Sequence, residues 1–114
     1  MFHSINAYTG ETLCRRPAQS YAEFAQELAA LKVHQQAFAR LGVTGRTALL
    51  QAFAERLAQN KERLAEMVCE EVGRCLHECR AELDKSVELI RYYVRLAPEL
   101  LSHKTIAKQA ILSQ

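Results

Sequence analysis

From Tyr21 to Ala97 the apolar residues recur at spacings of three and four, with breaks at Gly42, near Asn60 and at Gly73. A helix turns once in 3.6 residues, so this spacing lays one apolar stripe along each segment and commits the chain to helices packed stripe against stripe. Strand alternation is absent from the whole span.

The stops and starts divide the stripe. Ser20 followed by Glu23 is a capping box, in which hydroxyl and carboxylate satisfy amides left free at a helix start. Phe24, Leu28, Leu31, Phe38 and Leu41 carry the first helix, about 21–40, with Gln35 as a polar interruption and Gly42 as its stop. Thr44 is the expected cap of the second helix, whose stripe runs Leu50, Phe53, Leu57, Leu64, Val68 and Val72 to Gly73. The polar stretch QNKER predicts a bend near residue 60, splitting the run into 44–59 and 61–72 with Asn60 capping the second part. A last helix, about 76–97, carries Leu76, Leu83, Val87, Ile90 and Val94, and Pro98 is expected to end or kink it.

Ahead of the helices, residues 1–19 hold a turn signal at Thr9 and Gly10 between short segments containing Ile5, Tyr8, Leu13 and Cys14, which suggests an extended arm or a loose hairpin. The chain as it stands is therefore expected to be all-α: an arm at 1–19, a helical segment of three to four amphipathic helices at 20–101, and a tail at 102–114 that is mobile or extended.

Composition narrows the partners. Fifteen basic and 13 acidic residues leave a net charge of +2 spread along the chain, with no Lys/Arg patch for nucleic acid or an anionic membrane. No apolar run reaches the roughly 18 residues of a membrane helix, and MFHSINAYTG lacks the regions of a signal peptide. The cytoplasm is the expected compartment, where the four cysteines stay reduced.

The stretch RCLHECRAEL brings Cys75, His77 and Cys79 together, six residues after Cys69. On a helix Cys75 and Cys79 share a face while His77 points nearly opposite, and structural zinc prefers four ligands in CxxC or HxxxH pairs, which are missing. Cys79 falls in the apolar stripe and reads as a packing residue; Cys75 and His77, at the helix start, are expected to be partly exposed. Glu70 and Glu71 are adjacent and diverge in direction on a helix, so they do not make an acid/base pair. Of Tyr92 and Tyr93, one can face the core and the other a neighbouring surface. GxGxxG, GxxxxGK and GxSxG are all absent.

The order of segments nevertheless resembles the N-terminal region of the NAD(P)-dependent aldehyde dehydrogenase superfamily over about residues 5–101. INAYTGETL is similar to an INPATGE-type opening, with Ala7 and Tyr8 where Pro and Ala are common. QQAFARLGVTGR places Phe38 and Arg46 at the family's aromatic and Arg positions, and LLQAFAERLAQNKERLAEMVCEEVGR is similar to its leucine-striped stretch. Against the family's ExGKPLxEAxxEV the chain reads EVGRCLHECRAEL: Glu71, Gly73, Leu76, Glu78 and Glu82 match, Arg74 stands for Lys, Cys75 for Pro, Cys79 for Ala and Leu83 for Val. IRYYVRLAPELL is similar to IxYYAxxA, and succinate-semialdehyde dehydrogenase-like members have the nearest flavour.

The resemblance implies an α/β enzyme in which arm and helices lie against a Rossmann-type cofactor domain, a Cys thiolate attacks the aldehyde, hydride leaves to NAD or NADP, and a Glu assists hydrolysis. None of Cys14, Cys69, Cys75 or Cys79 lies in the glycine-rich context of that nucleophile. The resemblance therefore transfers no catalytic, cofactor-binding or metal residue, and no cofactor is expected on this chain alone. The chain is expected to stop just before the family's PLGVV-type strand, as an inactive N-terminal fragment that self-associates or joins the missing downstream part. A small helical protein–protein interaction module is the alternative, and a metal-responsive helical protein is a third reading.

Overall fold

A computed structural model describes residues 1–102. In chain order it has β1 (Phe2–Ile5), β2 (Thr12–Arg16), α1 (Tyr21–Arg40), α2 (Gly42–Gln59), α3 (Lys61–Val72) and α4 (Leu76–Leu100). The all-α body follows from the helical period, and the short N-terminal hairpin from the turn signal at Thr9 and Gly10. The expected tail lies, from residue 103 onward, outside the described residues.

β1 and β2 pair antiparallel, Phe2 opposite Arg16 and Ser4 opposite Cys14, with an irregularity between Ser4 and Ile5. The connection is organised by Asn6, whose Oδ1 accepts from the Tyr8 and Thr9 amides at 2.9 and 3.1 Å. Gly10, at φ 75°, closes the turn by donating to the Asn6 carbonyl at 2.9 Å.

Ser20 and Glu23 form the capping box at the start of α1: the Ser20 amide donates to the Glu23 carboxylate at 2.7 Å, and the Glu23 amide donates to the Ser20 hydroxyl at 3.3 Å. That backbone bond first, and the Ser20 side chain second, hold the Glu23 carboxyl below its ordinary value.

The split falls at residue 60 as expected, while two boundaries and one cap differ from the expected ones. α2 begins at Gly42, not Thr44, and has no side-chain cap. Gly42 turns the chain in the left-handed region, and the Arg46 guanidinium donates to the Ala39 carbonyl at 3.0 Å, so the α1–α2 connection is closed before Thr44 is reached. Asn60 separates α2 from α3 but closes the earlier helix: its Nδ2 donates to the Arg56 carbonyl at 2.8 Å and no side-chain cap serves α3. α4 runs through Pro98 to Leu100, because the Leu101 amide donates to the Ala97 carbonyl at 2.9 Å and carries the turn past the missing proline donor.

Packing is concentrated on α4, which lies against both α2 and α3. Ala54 of α2, Ala65 of α3 and Cys79 and Val87 of α4 are its buried residues, small side chains that let helix backbones approach. Leu57, Leu64, Val68, Leu83, Ile90 and Val94 surround them half-buried. Lys61–Asp84 at 2.6 Å and Arg80–Glu62 at 2.7 Å tie α4 to α3 across the exposed rim.

α1 is different. None of its residues is buried, and Phe24 and Leu31 are 52% and 61% exposed. Among the described residues its main contact with the rest of the chain is the corner with α2. The radius of gyration is accordingly 21.2 Å, where a compact chain of this length has about 13 Å.

Candidate functional site

The region that gathers the polar and sulfur-bearing side chains is the corner between α3 and α4, on which the arm docks. Gly73 ends α3 in the left-handed region, φ 76° and ψ 24°, and its amide donates to the Cys69 carbonyl at 2.9 Å. The Tyr8 hydroxyl donates to the Gly73 carbonyl at 2.8 Å and reaches the Arg74 carbonyl at 3.3 Å. The Ala7 amide donates to the Glu70 carbonyl at 2.8 Å, and the Ser4 hydroxyl donates to the Glu71 carboxylate. Carbonyls left free by the end of a helix are thus taken up by donors from the arm. A side chain at Gly73 would put its Cβ 2.9 Å from the Ala7 Cβ, so the glycine is required both by the backbone and by the approach of the arm.

The cysteines divide by burial. Cys79 is 1% exposed and packs in the core; burial first, then the neighbouring Cys69 and Cys75, push its thiol pKa up, with Arg74 opposing. It stays protonated at neutral pH and is a poor nucleophile. Cys69 is half-buried and donates its thiol to the Arg74 carbonyl at 3.0 Å, while Cys75 is exposed at the N-cap of α4. His77 is exposed, and no hydrogen bond joins it to a cysteine among the described residues. No three His, Cys, Asp or Glu side chains converge among those residues. Glu70 and Glu71 both serve the arm, one through its backbone and one through its carboxylate, and with Leu13, Cys14 and Met67 they line a cavity of about 200 Å³ beneath β2.

Tyr92 and Tyr93 stack edge to face, centroids 5.3 Å apart and planes at 78°, and both are exposed, so neither faces the core. Tyr92 lines an open groove of about 430 Å³ with Glu88, Arg91 and Arg95, all from one face of α4. The described residues form no glycine-rich turn between a strand and a helix that could present amides to a dinucleotide pyrophosphate.

Sequence reasoning missed the arm's anchors. Tyr8, Ala7 and Ser4 contact residues more than sixty positions away, and the periodicity of a short arm contains no trace of such a pairing. The one available signal was Gly73 itself, a glycine at a helix end that also had to accommodate something close.

This hairpin-and-helix arrangement recurs in the crystal structure of glyceraldehyde-3-phosphate dehydrogenase GapN from Methanocaldococcus jannaschii complexed with NADP: 87% of the present chain matches 22% of that chain with a TM-score of 0.81 at 22% identity. By fold, the chain is thus a hairpin and helical segment matching part of a larger chain. The profile of the aldehyde dehydrogenase family matches residues 1–113, and the chain belongs to that family. It is 32% identical over 108 residues to succinate-semialdehyde dehydrogenase [NADP(+)] from Deinococcus radiodurans, covering 92% of this chain and 22% of that protein. It is 34% identical over 109 residues to malonate-semialdehyde dehydrogenase from Listeria monocytogenes serotype 4b, covering 93% and 22%. The chain spans about a fifth of the length of these curated relatives.

Proposed function

We propose that this chain works as the N-terminal helical segment of an NAD(P)-dependent aldehyde dehydrogenase, inactive alone and completed by the downstream part of such an enzyme, in the cytoplasm. The observation that carries this reading is α1. Twenty residues with a capped start form a full-length helix, yet Phe24, Leu28, Leu31 and Phe38 all stand exposed. Apolar side chains on one helical stripe are a face for a partner, and burying each of them on docking contributes on the order of 1.5–3 kcal/mol. The dehydrogenase neighbour and the semialdehyde dehydrogenase relatives, all about five times longer than the match, support a partner that carries the cofactor and the nucleophile. The chain's own share is positional: the arm clamps the α3–α4 corner, and the corner holds the helices as a unit.

The test is complementation. The remainder of the Deinococcus radiodurans relative, lacking the fifth that this chain matches, is mixed with the chain and assayed with succinate semialdehyde and NADP⁺. Recovered NADPH formation that requires both parts supports the reading. A remainder that folds and binds NADP⁺ but neither binds the chain nor gains activity overturns it.

A further inference from the structure

Three of the four cysteines lie on the α3–α4 corner, and the docking role above uses none of their thiols. Cys69, in the last turn of α3, points its thiol at the Arg74 carbonyl oxygen, 3.0 Å away. That oxygen belongs to the peptide unit whose nitrogen is that of Cys75, so with standard backbone dimensions the Cys69 sulfur lies within about 6 Å of the Cys75 Cα. A disulfide places its two Cα atoms about 4.4–6.8 Å apart, and forming one here requires the Cys69 thiol to leave the Arg74 carbonyl and turn toward Cys75. The loop between the two residues contains Gly73, already in the left-handed region and free of a side chain. Exposure separates the roles: Cys75 is open to solvent, Cys69 is half-buried beside it, and Cys79 is sealed in the core.

We infer that Cys69 and Cys75 form a reversible dithiol–disulfide site at the α3–α4 corner, oxidised by a low-molecular-weight disulfide such as that of a cysteine-containing peptide. Cys75 gives up its proton, and its thiolate attacks one sulfur of the small disulfide, forming a mixed disulfide and releasing one small thiolate. Cys69 then loses its proton and attacks the Cys75 sulfur, forming the Cys69–Cys75 bond and expelling the second small thiolate. Two protein thiols are oxidised by two electrons, one small disulfide is reduced to two thiols, and these take up the two protons. Exposed Cys75 is the point of entry and Cys69 the resolving residue. The bond withdraws one donor from the Arg74 carbonyl, which also lies 3.3 Å from the Tyr8 hydroxyl.

The test uses the full chain, reduced, incubated with glutathione disulfide, alkylated and analysed by intact mass and tryptic mapping. The expected product is a monomer lighter by about 2 Da, for two hydrogens lost, and restored by dithiothreitol. Its peptides Leu64–Arg74 and Cys75–Arg80 are linked. The link survives Cys79→Ser and Cys14→Ser and is lost in Cys75→Ser, while Cys69→Ala leaves Cys75 trapped as the mixed disulfide. Circular dichroism of each variant checks that the helices are kept. A link that persists in Cys75→Ser, a bond between two copies of the chain, or a Cys75 mixed disulfide that never resolves in the natural sequence overturns the assignment.

Discussion

The Tyr8 hydroxyl donates to the carbonyl oxygen of Gly73 at 2.8 Å, tying the loop of the N-terminal hairpin to the residue that ends α3, 65 positions along the chain. Tyr8→Phe removes this donor and leaves the ring. The expected cost is about 0.5–1.5 kcal/mol, the net worth of an ordinary hydrogen bond, measured by urea denaturation. The loss should be local, so hydrogen exchange at the Ala7 amide should accelerate more than exchange in α4.

Gly73→Ala should be worse, because it combines a positive φ with a Cβ placed 2.9 Å from that of Ala7. The backbone part alone costs on the order of 1–3 kcal/mol. In the double variant Ala7→Gly with Gly73→Ala the clash disappears and the backbone strain remains, so thermal unfolding should show partial rescue. Full additivity of the two changes would mean that Ala7 does not pack against Gly73.

The capping box makes α1 sensitive to acid. Glu23 has its carboxyl lowered in the folded chain by the Ser20 amide and hydroxyl, so its contribution is complete above the ordinary carboxylate range and is lost as pH falls through the lowered value. Helicity followed by circular dichroism should therefore decline on acidification, and Glu23→Gln should flatten the part of that decline due to this residue. Ser20→Ala should cost about 1 kcal/mol at neutral pH.

Phe24 and Leu28 should behave unlike core residues. A buried Phe→Ala costs about 3–5 kcal/mol, whereas an exposed substitution is usually within about 0.5 kcal/mol. Because both side chains are exposed on α1, Phe24→Ala with Leu28→Ala should leave the unfolding midpoint of the isolated chain almost unchanged. The same pair should lower dye-accessible apolar surface and self-association in light scattering, and should weaken complementation by the downstream part.

Particular residues show how far local pattern reaches. Ser20, Gly42 and Gly73 announce a helix start, a turn and a helix end because capping and left-handed backbone depend on the residue itself and its immediate neighbours. Thr44 and Pro98 mislead because each has a local preference that Gly42 with Arg46 and the Leu101 amide respectively override, while Asn60 marks the split correctly but gives its side chain to the Arg56 carbonyl rather than to α3. At the corner, the separation of Cys79 from Cys75 by burial follows from the stripe, while the hold of Ser4, Ala7 and Tyr8 on residues 70–74 does not.

What the sequence determined by itself is the set of helices and the apolar side of each one, because periodicity and caps are short-range properties carried by consecutive residues. Only the tertiary structure decided which apolar faces find a neighbour. Leu57, Leu64, Val68 and the α4 stripe close on one another around Ala54, Ala65, Cys79 and Val87, whereas Leu50, Phe53 and Val72, expected in the same stripe, stay exposed like the regular stripe of α1. A stripe states that a surface needs covering, and burial is a relation between two surfaces, so no single segment can specify it.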